Sequence, residues 1–187
     1  MESIIEVKYP IEFRKDDAWG LGQHLKNRHN VVLIGMKRVG INNFLRFFLY
    51  HKDIINTYIV DKKKHLFIPV DLFDLVEREI FPFWTLTFKR IVDAVNKSTI
   101  SGKTKKEIES LFLHSIQSHN LFLTMDGIRN CLSKIVEEDF LPTIFFNRFD
   151  RIKTASTHLY LIIFKDLGRQ LWENFLMYLP AFVIWIN

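Results

Sequence analysis

The residues with the clearest potential for chemistry are two glycines that bracket a short basic loop. Gly35 and Gly40 have four residues between them, two of which are the cations Lys37 and Arg38. Glycine lets the backbone curl so that successive N–H groups point inward, and such a concave backbone binds phosphate oxygens. A helix that starts directly after the loop would add the positive end of its dipole. The nucleotide-binding residues predicted on this basis are Gly35, Met36, Lys37, Arg38, Val39, Gly40, Ile41, Asn42 and Asn43.

The side chains after the second glycine depart from the usual phosphate-binding pattern, G-x-x-x-x-G-K-[ST]. In that pattern the lysine reaches the β- and γ-phosphates and the hydroxyl binds Mg²⁺. Here Ile41 occupies the lysine position and Asn42 the hydroxyl position. Isoleucine offers phosphate no charge and no hydrogen bond, and an amide oxygen is a poor replacement for the hydroxyl. Lys37 and Arg38 are the cations that could compensate from within the loop.

Strands and helices alternate along the chain in the way that a parallel α/β sheet requires. Residues 31–34 are four apolar residues ending at a glycine, as in a strand buried on both faces. Further strands are predicted at 65–70, 141–146 and 182–186, with residues 57–60 as an additional short strand. Helices are predicted at 18–28, 42–50, 73–97, 103–118, 124–138 and 155–179, with Pro82 kinking or splitting the third, and residues 1–15 are predicted to be extended. This order predicts one α/β domain with helices on both faces of the sheet.

The first strand, loop and helix resemble the start of a P-loop ATPase domain of the AAA+/STAND kind. Members of that family carry an apolar strand followed by G-x-x-x-V-G-K-[ST]-x-[FL]-L-R. The positions that match this pattern are Gly35, Val39, Gly40, Phe44, Leu45 and Arg46. The resemblance implies a P-loop NTPase-like three-layer α/β/α fold with a mostly parallel sheet. Residues 1–187 would form a single such domain, with a leading segment and helix at 1–30 and the nucleotide-binding core at 31–187. Because the chain ends flush with a strand, we also expect it to be the N-terminal portion of a longer architecture.

The resemblance also assigns the strand at 143–146 as the Walker B strand. In the family, the apolar strand is followed by an Mg²⁺-directing Asp and a catalytic Glu. Asn147 and Arg148 replace these two acids, whereas Phe149 and Asp150 match the residues that often follow. The resemblance therefore implies Walker B-like roles for Asn147 and Asp150, and a sensor-like role for Asn187 at the end of the last strand.

These replacements predict nucleotide binding with weak or absent hydrolysis. Phosphoryl transfer needs positioned acids and a metal ion, and Arg148 has the wrong sign for a general base. Asp71 and Asp150 are the acids placed to substitute, although each position is more typical of a cap or a turn. We therefore expect ATP as the ligand, Mg²⁺ as a weaker expectation, no catalytic residue, and a switch or assembly module that acts on a protein partner or on a second copy.

Two alternative functions remain open at this stage. The domain could be a nucleotide-free P-loop-derived scaffold that binds protein or nucleic acid. It could also be a degenerate GTPase, because Asn147, Arg148 and Asp150 fit a variant of the guanine-recognition motif N-K-x-D. Against a GTPase, the chain lacks both the P-loop lysine and a D-x-x-G after an intervening strand. Against nucleic acid, no stacking aromatics lie among the lysine runs at 62–64 and 103–106.

Composition excludes several other classes. The chain has 187 residues, a net charge of +5 and 48% hydrophobic residues, which is unlike a disordered chain. Its 18 phenylalanines predict a large aromatic core. The single cysteine, Cys131, excludes an intramolecular disulfide and is predicted to be a core residue. The seven histidines show no metal-ligand spacing, and no apolar stretch approaches the ~18 residues that cross a bilayer. We expect a cytoplasmic protein without a metal site.

Overall fold

The computed structural model describes residues 4–35 and 38–149, together with the backbone of residues 181–186. Its helices are α1 (Ile4–Lys8), α2 (Lys15–Lys26), α3 (Ile41–Tyr50), α4 (Ile80–Lys97), α5 (Gly102–Ser118) and α6 (Leu121–Glu137). Its strands are β1 (Val31–Ile34), β2 (Lys64–Asp71), β3 (Phe140–Asn147) and β4 (Ala181–Ile186). A π-helical turn spans Ile55–Ile59 and a 3₁₀ turn spans Leu72–Asp74. The helix predicted at 155–179 lies outside the described residues.

The strands form one parallel sheet in the order β1-β4-β3-β2. Strands β2 and β3 pair over their whole length, from Lys64 opposite Phe140 to Asp71 opposite Asn147. Strand β4 lies between β1 and β3, with Phe182 opposite Ile144. The prediction of a mixed α/β fold with a parallel sheet is confirmed, and the two polar residues that end β2 and β3 lie side by side.

Apolar clusters lie on both faces of the sheet. Because successive side chains of a strand point to opposite faces, Ile144 packs in a cluster with α4, α5 and α6, while its neighbour Phe145 packs in a cluster with α2 and α3. The connection from β1 to β2 crosses the sheet in one direction and the connection from β2 to β3 returns in the other. Right-handed crossovers that run in opposite directions place their helices on opposite faces of the sheet. This explains why α3 lies on one face and α4, α5 and α6 lie on the other.

The core is aromatic, as the phenylalanine count predicts. Phe83 stacks on Phe146 with ring centroids 5.4 Å apart, and Phe48 stacks on Phe67 at 6.0 Å on the other face of the sheet. Cys131 is buried in the cluster beneath α4–α6, which confirms its predicted place in the core. Within the described residues no helix is both long and apolar enough to cross a membrane.

Three local predictions were wrong. Residues 4–8 form a helix rather than extended chain, and residues 57–59 lie in a π-helical turn that ends before Val60, rather than in a strand. Helix α4 begins at Ile80 rather than near 73, because Asp71 first caps a 3₁₀ turn by accepting a hydrogen bond from the Phe73 N–H. Pro82 thus falls in the first turn of α4, where a helix needs no N–H donor, and it neither kinks nor splits the helix.

Candidate functional site

The second glycine of the loop sets the start of α3. Gly40 has φ 79°, in the left-handed region that glycine adopts without strain, and its carbonyl accepts the Phe44 N–H at 3.0 Å. Gly40 has no side chain with which to cap the helix. The N–H groups of the first turn, on Ile41, Asn42 and Asn43, therefore point out of the helix at its positive end, which is the arrangement that binds anions.

The first glycine has a packing role. A Cβ atom on Gly35 would lie 1.9 Å from Cδ1 of Ile41 and 3.2 Å from Cγ2 of Val39. Ile41 is only 8% exposed and belongs to the apolar cluster of α2 and α3. Its side chain therefore packs into the core against Gly35.

An arginine that the sequence analysis missed ties the loop to the leading segment. Nη1 of Arg14 donates to the carbonyl of Val39 at 3.4 Å, while its Nε pairs with Asp17 at 2.6 Å. The Arg14 guanidinium also lies over the Phe44 ring, 5.1 Å from its centroid. Arg14 precedes Val39 by 25 residues, and nothing in either segment predicts their contact. Among the other predicted residues, Arg38 is exposed with φ 72°, and Met36 and Lys37 lie outside the described residues.

Polar side chains meet where β2 and β3 end. Oδ2 of Asp71 accepts a hydrogen bond from Nδ2 of Asn147 at 3.5 Å and pairs with Nη2 of Arg148, also at 3.5 Å. Oδ1 of Asp71 accepts the Phe73 N–H at 3.0 Å. Asp71 is thus a turn-capping residue, as its position predicted, and also the acceptor that contacts both Asn147 and Arg148.

Arg148 is held in an unusual backbone conformation. Its φ is 62°, which costs energy for a residue with a Cβ, and such residues cluster at functional sites. Its guanidinium lies over the Phe73 ring, 5.0 Å from the centroid. Beside it, Oδ1 of Asn147 is buried without a hydrogen-bond partner among the described residues. Asp150 and Asn187, predicted as Walker B-like and sensor-like residues, lie outside the described part of the chain.

A cleft of about 390 Å³ joins the start of α3 to these strand ends, and we call it the α3 cleft. Its polar lining consists of Asn42, Asn43, Arg46 and Tyr50 from α3 and Asp71, Asn147 and Arg148 from the ends of β2 and β3. The structure therefore brings two predicted loop residues together with the predicted Walker B-like Asn147. The other described residues of the predicted set, Gly35, Arg38, Val39, Gly40 and Ile41, do not line this cleft.

The residues of the α3 cleft do not suit Mg²⁺. This ion requires near-octahedral oxygen coordination, usually with one or two carboxylates. Asp71 is the one carboxylate in the lining, and its Oδ2 already faces Arg148 and Asn147. Throughout the described ranges, no three His, Cys, Asp or Glu side chains are grouped so as to hold a metal ion.

A larger groove, of about 600 Å³, runs along the outer edge of β2. Its arginine, Arg90, pairs with Asp74 at 2.6 Å and with Asp93 at 3.3 Å. This groove is lined by none of the predicted loop residues and by neither Asn147 nor Arg148, which makes the α3 cleft the better candidate site.

Comparisons of this chain with protein-family models, with curated proteins and with solved structures gave no match.

Proposed function

We propose that the chain is a P-loop NTPase-like domain, of three-layer α/β/α architecture, that binds ATP with weak or absent hydrolysis. The observation that carries the proposal is the α3 cleft, which connects the first turn of α3 to the ends of β2 and β3. Ligands of parallel α/β sheets bind outside the carboxyl ends of the strands, and phosphates bind at helix N-termini. Both features meet in this one cleft.

The predicted lack of hydrolysis follows from the charges in the cleft. Activating a water for attack on a phosphate needs a base, and stabilising the transferred phosphoryl group needs a metal ion or comparable cations. At the strand ends, the position of the family's catalytic acid holds Arg148, and Asp71, which already accepts the Phe73 N–H, is the one acidic side chain in the cleft lining. Such a site can bind a phosphate chain through N–H groups and cations while leaving it intact.

Binding would be read out by another protein or by a second copy of this chain. Arg148 links the cleft to Asp71, and Asp71 caps the 3₁₀ turn that carries Phe73. Phe73 is 56% exposed and Val76, beyond the turn, is 95% exposed. A ligand that changes the Asp71–Arg148 contact would therefore act on an apolar surface segment, which is the kind of surface that partners recognise.

The test is a calorimetric titration with ATP and with GTP, each in the presence and absence of Mg²⁺. Binding to the folded state alone should raise the stability by about 2.7 kcal/mol at a ligand concentration 100 times Kd, and thermal unfolding should show this as a higher Tm. Preference for GTP would favour the degenerate GTPase. No heat and no shift in Tm at millimolar nucleotide would reject the proposal.

One observation favours the second candidate, a nucleotide-free scaffold that binds protein or nucleic acid. Both glycines of the loop have local structural roles, since Gly35 makes room for Ile41 and Gly40 adopts a left-handed φ. Their spacing can therefore persist without a phosphate to bind. The same titration separates the two functions, because a scaffold would bind neither nucleotide.

A further inference from the structure

The α3 cleft has more cationic than anionic side chains. Arg46 enters from the exposed face of α3 and Arg148 from the end of β3, against the single carboxylate of Asp71. Arg46 has no carboxylate within ion-pair distance among the described residues, whereas Arg148 contacts Asp71 at 3.5 Å. The excess is one positive charge, and it rises to two where a ligand takes the place of Asp71 beside Arg148, so the cleft suits a ligand with two or more negative charges.

We propose that the α3 cleft binds a polyphosphate chain without a divalent cation, with Arg46 and Arg148 supplying the positive charge and Asp71 acting as a counter-ion that the phosphate replaces. This inference rests on the proposed nucleotide-binding function and deepens it. It states which side chains contact the phosphates and that Mg²⁺ is not required.

The Asp71–Arg148 pair is suited to such an exchange. The two side chains are 35% and 33% exposed, and partly exposed ion pairs are held weakly. Guanidinium groups bind phosphate oxygens through charge-assisted and often bidentate hydrogen bonds, which are stronger than a single 3.5 Å contact. Arg148 can therefore turn from the carboxylate to a phosphate at little cost, while its stacking on Phe73 keeps it near the cleft.

A bridging Mg²⁺ is disfavoured by the same contacts. An ion bound to Oδ2 of Asp71 would lie close to the Arg148 guanidinium, 3.5 Å from that oxygen, and would be repelled by it. The amide nitrogen of Asn147 also faces this oxygen, and a donor N–H cannot coordinate a metal ion. In this arrangement the guanidinium groups of Arg46 and Arg148 supply the positive charge that a metal ion would otherwise supply.

The two modes of binding predict opposite effects of one substitution. If Asp71 is a competing counter-ion, Asp71→Asn removes a negative charge near the phosphates and tightens binding. At about 6 Å and an effective dielectric constant of about 40, the change is about tenfold in Kd. If Asp71 holds a bridging Mg²⁺, Asp71→Asn weakens or abolishes binding. Asparagine also caps turns and helices well, so the hydrogen bond from the Phe73 N–H is retained and the fold should be preserved.

The experiment titrates the full chain with ATP and, as a ligand without a base, with inorganic tripolyphosphate, each in EDTA and in Mg²⁺. The variants are Asp71→Asn, Arg46→Gln, Arg148→Asn and Arg148→Lys. Asparagine tolerates the left-handed φ of Arg148 better than most residues, and lysine keeps the charge. The control is Arg78→Gln, which removes one positive charge from an exposed residue outside the cleft lining.

We expect both ligands to bind in EDTA. Arg46→Gln and Arg148→Asn should each weaken binding at least tenfold, Arg148→Lys should weaken it less, Asp71→Asn should tighten it, and Arg78→Gln should change it less than twofold. Binding of ATP only in Mg²⁺, with loss in Asp71→Asn, would overturn this inference and leave the nucleotide-binding function intact. Binding in EDTA whose affinity is unchanged in both Arg46→Gln and Arg148→Asn would also overturn the inference, because the phosphates would then lie outside the cleft. No binding of either ligand under any condition would overturn both proposals.

Discussion

Placing a lysine at position 41 tests whether this position can take the lysine of a P-loop or whether the core requires an apolar side chain there. Ile41 is 8% exposed, packs against Gly35 and belongs to the cluster that joins α3 to α2. A lysine there cannot leave its ammonium group among these apolar side chains without a large desolvation penalty. We expect Ile41→Lys to destabilise the fold and to leave hydrolysis absent.

The size of the effect follows from the burial of Ile41. Removing a buried isoleucine side chain gives up about 1.5–3 kcal/mol of transfer free energy, and a poorly filled site adds a cavity cost. The lysine stem recovers part of this by lying along apolar surface while its ammonium reaches water. The net loss should be about 2–4 kcal/mol, which is a large share of a typical unfolding free energy of about 5–15 kcal/mol. For a chain of this size, the Tm should fall by roughly 4–16 °C.

Asn42→Lys is the matched control, because position 42 is exposed and lies in the same first turn of α3. Both variants place a cation near the positive end of the helix dipole, so the unfavourable interaction of the lysine with the dipole cancels when the two variants are compared. Urea unfolding followed by circular dichroism gives the two free energies of unfolding, and calorimetry with ATP gives the two affinities. If Ile41→Lys proves as stable as Asn42→Lys and binds ATP more tightly than the wild type does, the packing argument is refuted and the loop is an ordinary P-loop.

The remaining predictions concern packing, thiol reactivity and pH. Gly22→Ala should destabilise the fold by about 1–3 kcal/mol, because the added Cβ would lie 2.3 Å from the backbone oxygen of Tyr58. Gly20→Ala in the same helix places its Cβ where no atom lies within 4 Å, so it should stabilise the fold by up to about 1 kcal/mol. Equal changes in Tm for the two variants would contradict this prediction. Burial raises the pKa of the Cys131 thiol, so it should react with a thiol reagent only in unfolding concentrations of urea, and rapid labelling of the native protein would contradict its place in the core. Burial lowers the pKa of His65 in the folded state below its unfolded value of about 6.5. Because the unfolded state then binds a proton more readily than the folded state, the free energy of unfolding should fall as the pH drops through and below about 6.5. Urea midpoints at pH 7.5 and 5.5 should differ for the wild type and differ less for His65→Gln, and equal shifts in both proteins would refute the assignment.

Strands were the easiest elements to predict, because buried parallel strands are short, continuous apolar runs. The run at 31–34 has the bounds of β1, and the run at 182–186 misses β4 by one residue. Helix starts were harder, since they depend on caps. Asp71 caps a turn and Asn120 caps α6, and both caps lie at positions that apolar periodicity does not mark.

The candidate site was predictable only where it is local in sequence. The spacing of Gly35 and Gly40 led directly to the start of α3. The partnership of Asp71 with Arg148 depends on the register of β2 against β3, which joins residues 77 positions apart and leaves no mark in either segment alone. Arg46 was noticed only as a match to a family pattern, and its place in the cleft follows from the packing of α3 on the sheet.

The glycines do not by themselves distinguish a nucleotide-binding domain from a scaffold, because packing and backbone conformation already account for both. The charges of the cleft are more discriminating. A scaffold gains nothing from two arginines that face a single carboxylate in one cleft. A phosphate chain would give Arg148 and Arg46 a common partner. The excess of positive charge at the strand ends therefore favours an anionic ligand over an empty scaffold, and the affinity of Asp71→Asn in EDTA is the measurement on which that preference depends.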